Sequence, residues 1–309
     1  MKKITVVGAG RVGESTAQFI ASKDMCREIA LIDIREGAAE GAALDIQEDA
    51  PLFRFDTRLK GGTNHELMAD SDLIIVTAGV PRKPGMSRSD VLGINVRVTD
   101  EIVESVLKYA PNSKMLFVSN PVDILTYRAW KKTGWHRSRI MGQAGVLDST
   151  RMASFIAMET GYSALDIDAM VMGGHGDSMV PMMRYTTISG IPVSNFLKQE
   201  VIDDIITRTR NGGAEILALR QNSSAYDAPA AAVAVMVDAI VNDRKRILPT
   251  VAILQNEYAC NELAIGVPCV LGKDGMEKVL LLELNQQEQA NFDQSVAAVR
   301  KDIAALAKL

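Results

Sequence analysis

The chain's 309 residues are 47% hydrophobic and 23% charged, an ordinary globular composition that excludes a disordered or fibrous protein. With 34 Lys and Arg against 38 Asp and Glu, the formal net charge is −4, which argues against nucleic acid or an anionic membrane as a partner. No segment reaches the ~20 apolar residues of a membrane span. The richest stretch, 228–241, is broken by Pro229 and Asp238. The apolar run after the basic N-terminus is cut by Gly8, Gly10, Arg11, Gly13 and Glu14, so no secretory signal is expected. Cys26, Cys260 and Cys269 form no CxxC pair. Reduced thiols in a cytoplasmic protein, and no metal site, are the expectation.

Ile4-Thr5-Val6-Val7 is a short β-rich run that ends at Gly8. Residues 11–23 then turn helical, with Val12, Thr16, Phe19 and Ile20 spaced for one face. Ile29-Ala30-Leu31-Ile32 is a second strand closed by Asp33, and a helix is predicted over 36–48. Leu73-Ile74-Ile75-Val76 is the next clear strand, closed by Thr77-Ala78-Gly79. A helix over 96–109 follows, then the strand Met115-Leu116-Phe117-Val118, closed by Ser119-Asn120-Pro121. Continuous apolar strands separated by helices predict an α/β chain with a doubly wound parallel sheet covered on both faces. In such sheets the ligand lies at the carboxyl ends of the strands. Here those ends carry Gly8, Asp33, Gly79 and Asn120.

After about Gly142 the texture changes to mixed segments, with glycine-rich stretches at 173–176 and at Gly212-Gly213 read as turns. Two domains are therefore expected, 1–143 and 144–309, the second of mixed α+β type. No Ser-, Gly- or Pro-rich linker separates them, which predicts tight packing.

Gly8-Ala9-Gly10-Arg11-Val12-Gly13 is a GxGxxG between a strand and a helix, and Asp33 ends the next strand 20 residues after Gly13. That context makes it a dinucleotide-binding loop. The first glycine makes the turn, the second lets a pyrophosphate approach, and the third lets helix and strand pack. The helix N-terminus adds amide donors and a positive dipole end. Asp33 would accept from the ribose hydroxyls and repel a 2′-phosphate, so NAD is favoured over NADP, with Arg35 close by as the one feature against that choice.

Histidine is scarce: His65, His136 and His175. The first two sit in polar surroundings and read as surface. His175 lies in Met172-Gly173-Gly174-His175-Gly176-Asp177-Ser178, a turn able to present an imidazole to a cleft as general acid and base. A Ser-His-Asp hydrolase built on Ser178 is disfavoured, because no GxSxG elbow occurs. Asp148 and Arg151 are spaced i, i+3 and share one helix face. They can form a simple intrahelical ion pair. In the sharper reading Asp148 orients His175 and stabilises its protonated form, while Arg151 grips a substrate carboxylate through a two-point fork. Pro81-Arg82-Lys83-Pro84-Gly85-Met86-Ser87-Arg88 is a cationic loop at the carboxyl edge of the sheet, placed to act as a lid over an anion.

Together these motifs resemble the lactate/malate dehydrogenase superfamily, and within it the lactate-dehydrogenase-like malate enzymes. The likeness runs through Gly145-Val146-Leu147-Asp148-Ser149-Thr150-Arg151, the His175 turn, Ser224-Ala225-Tyr226-Asp227-Ala228-Pro229 and Gly266-Val267-Pro268. It implies a Rossmann-type first domain and reversible hydride transfer between (S)-malate and NAD, an activity of the tricarboxylic acid cycle. His175 would exchange the proton with Asp148 as its partner, and Arg151 would bind the carboxylate next to the reacting carbon. Arg88 would polarise the carbonyl, and Asn120 would touch both substrate and cofactor. Asn95 and Val118-Ser119-Asn120 would contact the cofactor. Arg82 would set specificity: it neutralises the second carboxylate of oxaloacetate, and with pyruvate it would be stranded in a desolvated site. A lactate-type enzyme and a non-catalytic NAD sensor are the alternatives. A homo-oligomer is implied, a tetramer more than a dimer, and the apolar runs around Ile20 and Leu44 and over 201–236 read as surplus for an interface. Two positions depart from the family pattern: Asp227 stands where a second aromatic would follow Tyr226, and Arg11 puts a bulky cation in the glycine loop.

Overall fold

The computed structural model describes residues 1–80, 88–221 and 223–306, and for Arg88 and Ser89 the backbone alone. The first half alternates strand and helix, with the four apolar strands where the sequence placed them and the helix read over 96–109 beginning earlier, at Arg88: β1 (Lys3–Val7), α1 (Arg11–Ala21), β2 (Glu28–Ile32), α2 (Ala38–Glu48), α3 (Ala50–Phe53), β3 (Arg58–Gly62), β4 (Leu73–Val76), α4 (Arg88–Tyr109), β5 (Lys114–Phe117), α5 (Val122–Thr133) and β6 (Ile140–Gly142). These strands lie in the order β3-β2-β1-β4-β5-β6, all parallel. Consecutive residues of β1, β2, β4 and β5 are buried without alternation, as a sheet covered on both faces demands. The chain reverses direction across the sheet at β1 and β4, which opens the crevice where ligands bind in this architecture.

The second half comprises α6 (Gly145–Thr160), β7 (Ile167–Asp168), β8 (Val171–Gly173), β9 (Met179–Pro181), β10 (Thr187–Ile188), β11 (Ile191–Pro192), α7 (Gln199–Arg220), α8 (Asp227–Val241), β12 (Arg246–Gln255), β13 (Asn261–Gly272), β14 (Gly275–Val279) and α9 (Gln286–Ala305). The long antiparallel pair β12–β13 extends the same sheet, joined to β6 through Val251 opposite Gly142. A Cβ on Gly142 would stand 2.9 Å from Val251 Cβ and 2.7 Å from Thr126 Oγ1, so the junction requires glycine. One buried cluster runs through both halves, and a smaller one lies around Met152, Ile156, Val171 and Ile205.

Three features differ from the sequence reading. Strand β3 was not anticipated, because Arg58-Leu59-Lys60-Gly61-Gly62 is an edge strand with exposed charges. Edges tolerate and even favour such residues. Gly212 and Gly213 lie inside the unbroken helix α7 and make no turn. The lack of a side chain at Gly212 admits Arg151 of α6: a Cβ there would come within 3.2 Å of Arg151 Cδ. Ile20 is fully buried within the chain, as is much of α8, so those apolar runs are spent on this chain's own core. Leu44, Leu52 and Phe53 of α2 and α3 are exposed. The three cysteines are buried free thiols. No helix among the described residues is long and apolar enough to cross a membrane.

Candidate active site

The glycine loop closes the carboxyl end of β1. Gly8 has φ +106°, and a Cβ there would meet the Ala78 nitrogen at 2.6 Å, so the turn can be made only by glycine. A Cβ on Gly13 would strike the Gly8 carbonyl oxygen and stand 2.8 Å from Thr77 Oγ1, so the helix packs on the strand only without one. At Gly10 an added Cβ meets nothing within 4 Å, and α1 starts there without a side-chain cap. The first-turn amides of Arg11, Val12 and Gly13 thus face open space at the positive end of the helix. A dinucleotide pyrophosphate fits this cradle.

Asp33, one residue past β2, anchors the loop: its Oδ2 accepts from Ala9 N–H at 2.9 Å. Arg35 supplies the rest. Its backbone N–H and Nε donate to Oδ1 at 3.0 Å each, and its Nη2 reaches Oδ2 at 3.3 Å. Burial pushes the Asp33 carboxyl up, but these donors outweigh it and hold the group below the usual carboxylate range. Four bonds fill a carboxylate's acceptor capacity. Any further donor to Asp33 would have to displace Arg35, whose side chain is 64% exposed and cheap to move.

The other strand ends are tied together by Asn95 of α4. This buried side chain accepts from Val80 N–H at 2.8 Å and donates to the carbonyls of Val80 and Asn120, at 3.2 and 2.7 Å. Ser119 Oγ donates to the Ala78 carbonyl at 2.6 Å. Asn95 and Ser119 thus hold backbone in place, while Val118 is half-buried and Asn120 is exposed at the edge.

His175 sits just after β8, and α6 presents Asp148 and Arg151 toward it. His175 Nδ1 lies 2.9 Å from Asp148 Oδ2, and Arg151 Nη1 lies 3.4 Å from Asp148 Oδ1. Asp148 is almost fully buried, whereas His175 keeps 21% of its side chain exposed. Burial drives the imidazole's pKa down. The Asp148 carboxylate, through its charge and its hydrogen bond, outweighs this and raises the pKa above the ordinary value. Arg151 is pushed down by burial and partly restored by Asp148. Its Nε is buried with no hydrogen-bond partner among the described residues.

A fourth group was not foreseen. Asp123, in the first turn of α5, is buried, and its Oδ2 accepts from the backbone N–H of His175 at 2.9 Å. Burial pushes its carboxyl up to about 6. In sequence it looks like an ordinary first-turn acid three residues after Asn120, and no local signal ties it to position 175. Ser295 of α9 supports the same turn by accepting from Gly174 N–H at 2.8 Å. His65 and His136 lie elsewhere. His65 is half-buried against Ser105 Oγ at 2.6 Å, and His136 is exposed. Arg82 and the rest of the 81–87 loop lie outside the described residues, as does the Arg88 side chain. No cluster of metal-ligating side chains occurs among the described residues.

Residues 2–142 match the family model for the lactate/malate dehydrogenase NAD binding domain, and residues 145–309 match that for the lactate/malate dehydrogenase alpha/beta C-terminal domain. The chain belongs to the lactate/malate dehydrogenase family. A malate dehydrogenase of Thioalkalivibrio sulfidiphilus is 65% identical over 98% of this chain and 99% of its own. The solved structure of the malate dehydrogenase from Picrophilus torridus superposes with a TM-score of 0.96 at 44% identity, covering 99% of each chain. The lactate dehydrogenase of Cryptosporidium parvum, solved with lactic acid and nicotinamide adenine dinucleotide, superposes with a TM-score of 0.95 at 35% identity, over 100% of this chain and 98% of its own. Solved structures of a lactate and a malate dehydrogenase therefore share this backbone, so the fold alone does not choose between the two substrates.

Proposed function

We propose that this chain is an NAD-dependent malate dehydrogenase that interconverts (S)-malate and oxaloacetate, as in the tricarboxylic acid cycle. The observation that carries the reading is one carboxylate, Asp148, bonded on one oxygen to His175 and on the other to Arg151, in a family member 65% identical to a malate dehydrogenase. Residues 8–13 would hold the pyrophosphate, Asp33 the ribose, and the backbone at Val118, Ser119 and Asn120, braced by Asn95, the nicotinamide side. Bound NAD supplies the hydride acceptor, and in its reduced form the donor.

The chain's own residues manage proton and charge. A carboxylate can only accept, so His175 Nδ1 carries its proton toward Asp148 and Nε2 is left to exchange one with the substrate. The Asp148 charge stabilises the imidazolium that malate oxidation creates. Arg151, with its unpartnered Nε, would fork onto the carboxylate beside the reacting carbon. Asn120 would add a hydrogen bond. Arg88 would steady the developing oxyanion, and Arg82 would pair with the second carboxylate when 81–88 closes.

The division at 143/144 into a cofactor half and a substrate half belongs to the same reading. So does a homo-oligomer, tetramer before dimer, for which exposed Leu44, Leu52 and Phe53 offer apolar surface. Three free thiols fit a reducing cytoplasm. The deciding experiment is NADH oxidation with oxaloacetate and with pyruvate, compared as kcat/KM. A preference for oxaloacetate of several powers of ten supports the reading. Equal rates or a preference for pyruvate reassign the substrate, and oxidation of neither removes the enzyme reading.

A further inference from the structure

The two positions that depart from the family pattern belong to one cluster around the Tyr226 ring. Arg11, the first residue of α1, places its guanidinium 5.3 Å from the centre of the Tyr226 ring and its Nη1 3.5 Å from the Tyr226 hydroxyl. Arg220, the last residue of α7, lies 4.2 Å over the same ring. Asp227 pairs with Arg220 Nη2 at 3.2 Å. Two guanidiniums thus share one phenol, and one carboxylate answers one of them. Arg220 and then Arg11 hold the phenol's pKa below its ordinary value. Within this cluster, among the described residues, one positive charge is left uncompensated, and it is carried by the residue next to Gly10, where the loop opens to solvent.

We propose that Arg11 is a phosphate ligand for the dinucleotide, kept beside the glycine loop by stacking on Tyr226, with Arg220 and Asp227 fixing that ring. The inference rests on the NAD-dependent reading above. An aromatic platform confines a long side chain before the ligand arrives, so less freedom is lost on binding. Two like charges on one ring repel, and an arriving pyrophosphate relieves that repulsion. Arginine suits the task, because its planar fork matches phosphate oxygens. Asp227 then has a role in place of the expected aromatic: it neutralises Arg220 and leaves Arg11 as the open cation.

The test is ligand binding by the full chain. NADH, ADP-ribose and adenosine are titrated against wild type, Arg11→Gln, Arg11→Lys and Tyr226→Phe at low and high ionic strength, with thermal melts to confirm folding. Arg11→Gln should weaken NADH and ADP-ribose by ~5–10-fold at low ionic strength, less at high, and leave adenosine unchanged. Arg11→Lys should recover part of the loss, and Tyr226→Phe should lose about twofold. NADH affinity within twofold of wild type for Arg11→Gln at low ionic strength would overturn the proposal. So would equal losses for adenosine, which carries no phosphate. A wild-type protein that binds no NADH would instead overturn the functional reading on which the proposal stands.

Discussion

Asp148 divides its two oxygens between an imidazole and a guanidinium: Oδ2 lies 2.9 Å from His175 Nδ1 and Oδ1 lies 3.4 Å from Arg151 Nη1. Asp148→Asn keeps the shape and removes the charge. Folding raises the His175 pKa above its ordinary value of 6.5. The stabilisation this brings is full below that value and fades as pH rises through the higher folded value. In the proposed reaction oxaloacetate reduction draws its proton from this ring, so kcat/KM should fall on the alkaline side. In Asp148→Asn that fall should move to lower pH, with a loss of ~10²–10⁴ in kcat/KM at neutrality. An unmoved pH profile would remove Asp148 from the role of charge partner.

His175→Asn should abolish turnover and spare NADH binding, since the ring lies at the end of β8 and the cradle at the end of β1. Fluorescence titration beside a turnover assay checks this. Loss of both would mean that the turn shapes the cofactor site as well.

Arg82→Gln should move preference from oxaloacetate toward pyruvate by ~10²-fold or more, because it removes the charge that pyruvate leaves stranded. The ratio of the two kcat/KM values is the readout. An unchanged ratio would place the discrimination elsewhere.

Gly212→Ala and Gly213→Ala separate helix stability from site geometry. Each gains helix propensity, up to about 1 kcal/mol. The new methyl at 213 would stand 3.8 Å from Arg151 Nη2, an ordinary contact, whereas at 212 it would press within 3.2 Å of Arg151 Cδ. Gly213→Ala should raise the melting temperature. Gly212→Ala should raise KM for oxaloacetate severalfold by displacing Arg151. Equal KM values in the two variants would show that the Arg151 side chain yields freely.

Asp123→Ala leaves the buried N–H of His175 without its acceptor, a cost of about 1–3 kcal/mol. The Asp123 carboxyl is raised from 3.8 to about 6, so folding favours its neutral form. The stability it contributes is complete at low pH and is lost as pH rises from about 4 through 6. Urea unfolding should therefore show a wider gap between wild type and variant at pH 5 than at pH 8, both values chosen to bracket that range. A constant gap would mean that Asp123 does not titrate there.

The parallel half of the fold was legible because β1, β2, β4 and β5 are buried on both faces and so read as unbroken apolar runs. The edge strand β3 was not, because solvent beside Arg58 and Lys60 removes the pressure that writes that pattern. The glycine pair of α7 misled for a related reason: Gly212 answers to Arg151 of a neighbouring helix, and local propensity carries no record of it. The Asp148–Arg151 spacing was readable because both stand on one helix, and the structure brings His175 to them from 27 residues away. Asp123 was invisible, because its partner is a backbone amide 52 residues on. The Arg11–Tyr226 contact spans 215 residues, so Arg11 and Asp227, on either side of that ring's cluster, each looked alone like a stray departure.

The seam at Gly142 and Val251 has a consequence for any attempt to divide the molecule. A fragment ending there would carry a parallel sheet whose last strand, β6, has lost its neighbour β12 and become an open edge. Gly142 itself offers no side chain to blunt that edge. Such a half would recruit strands from other copies, so its yield as a monomer should rise when β12 is supplied as a separate peptide.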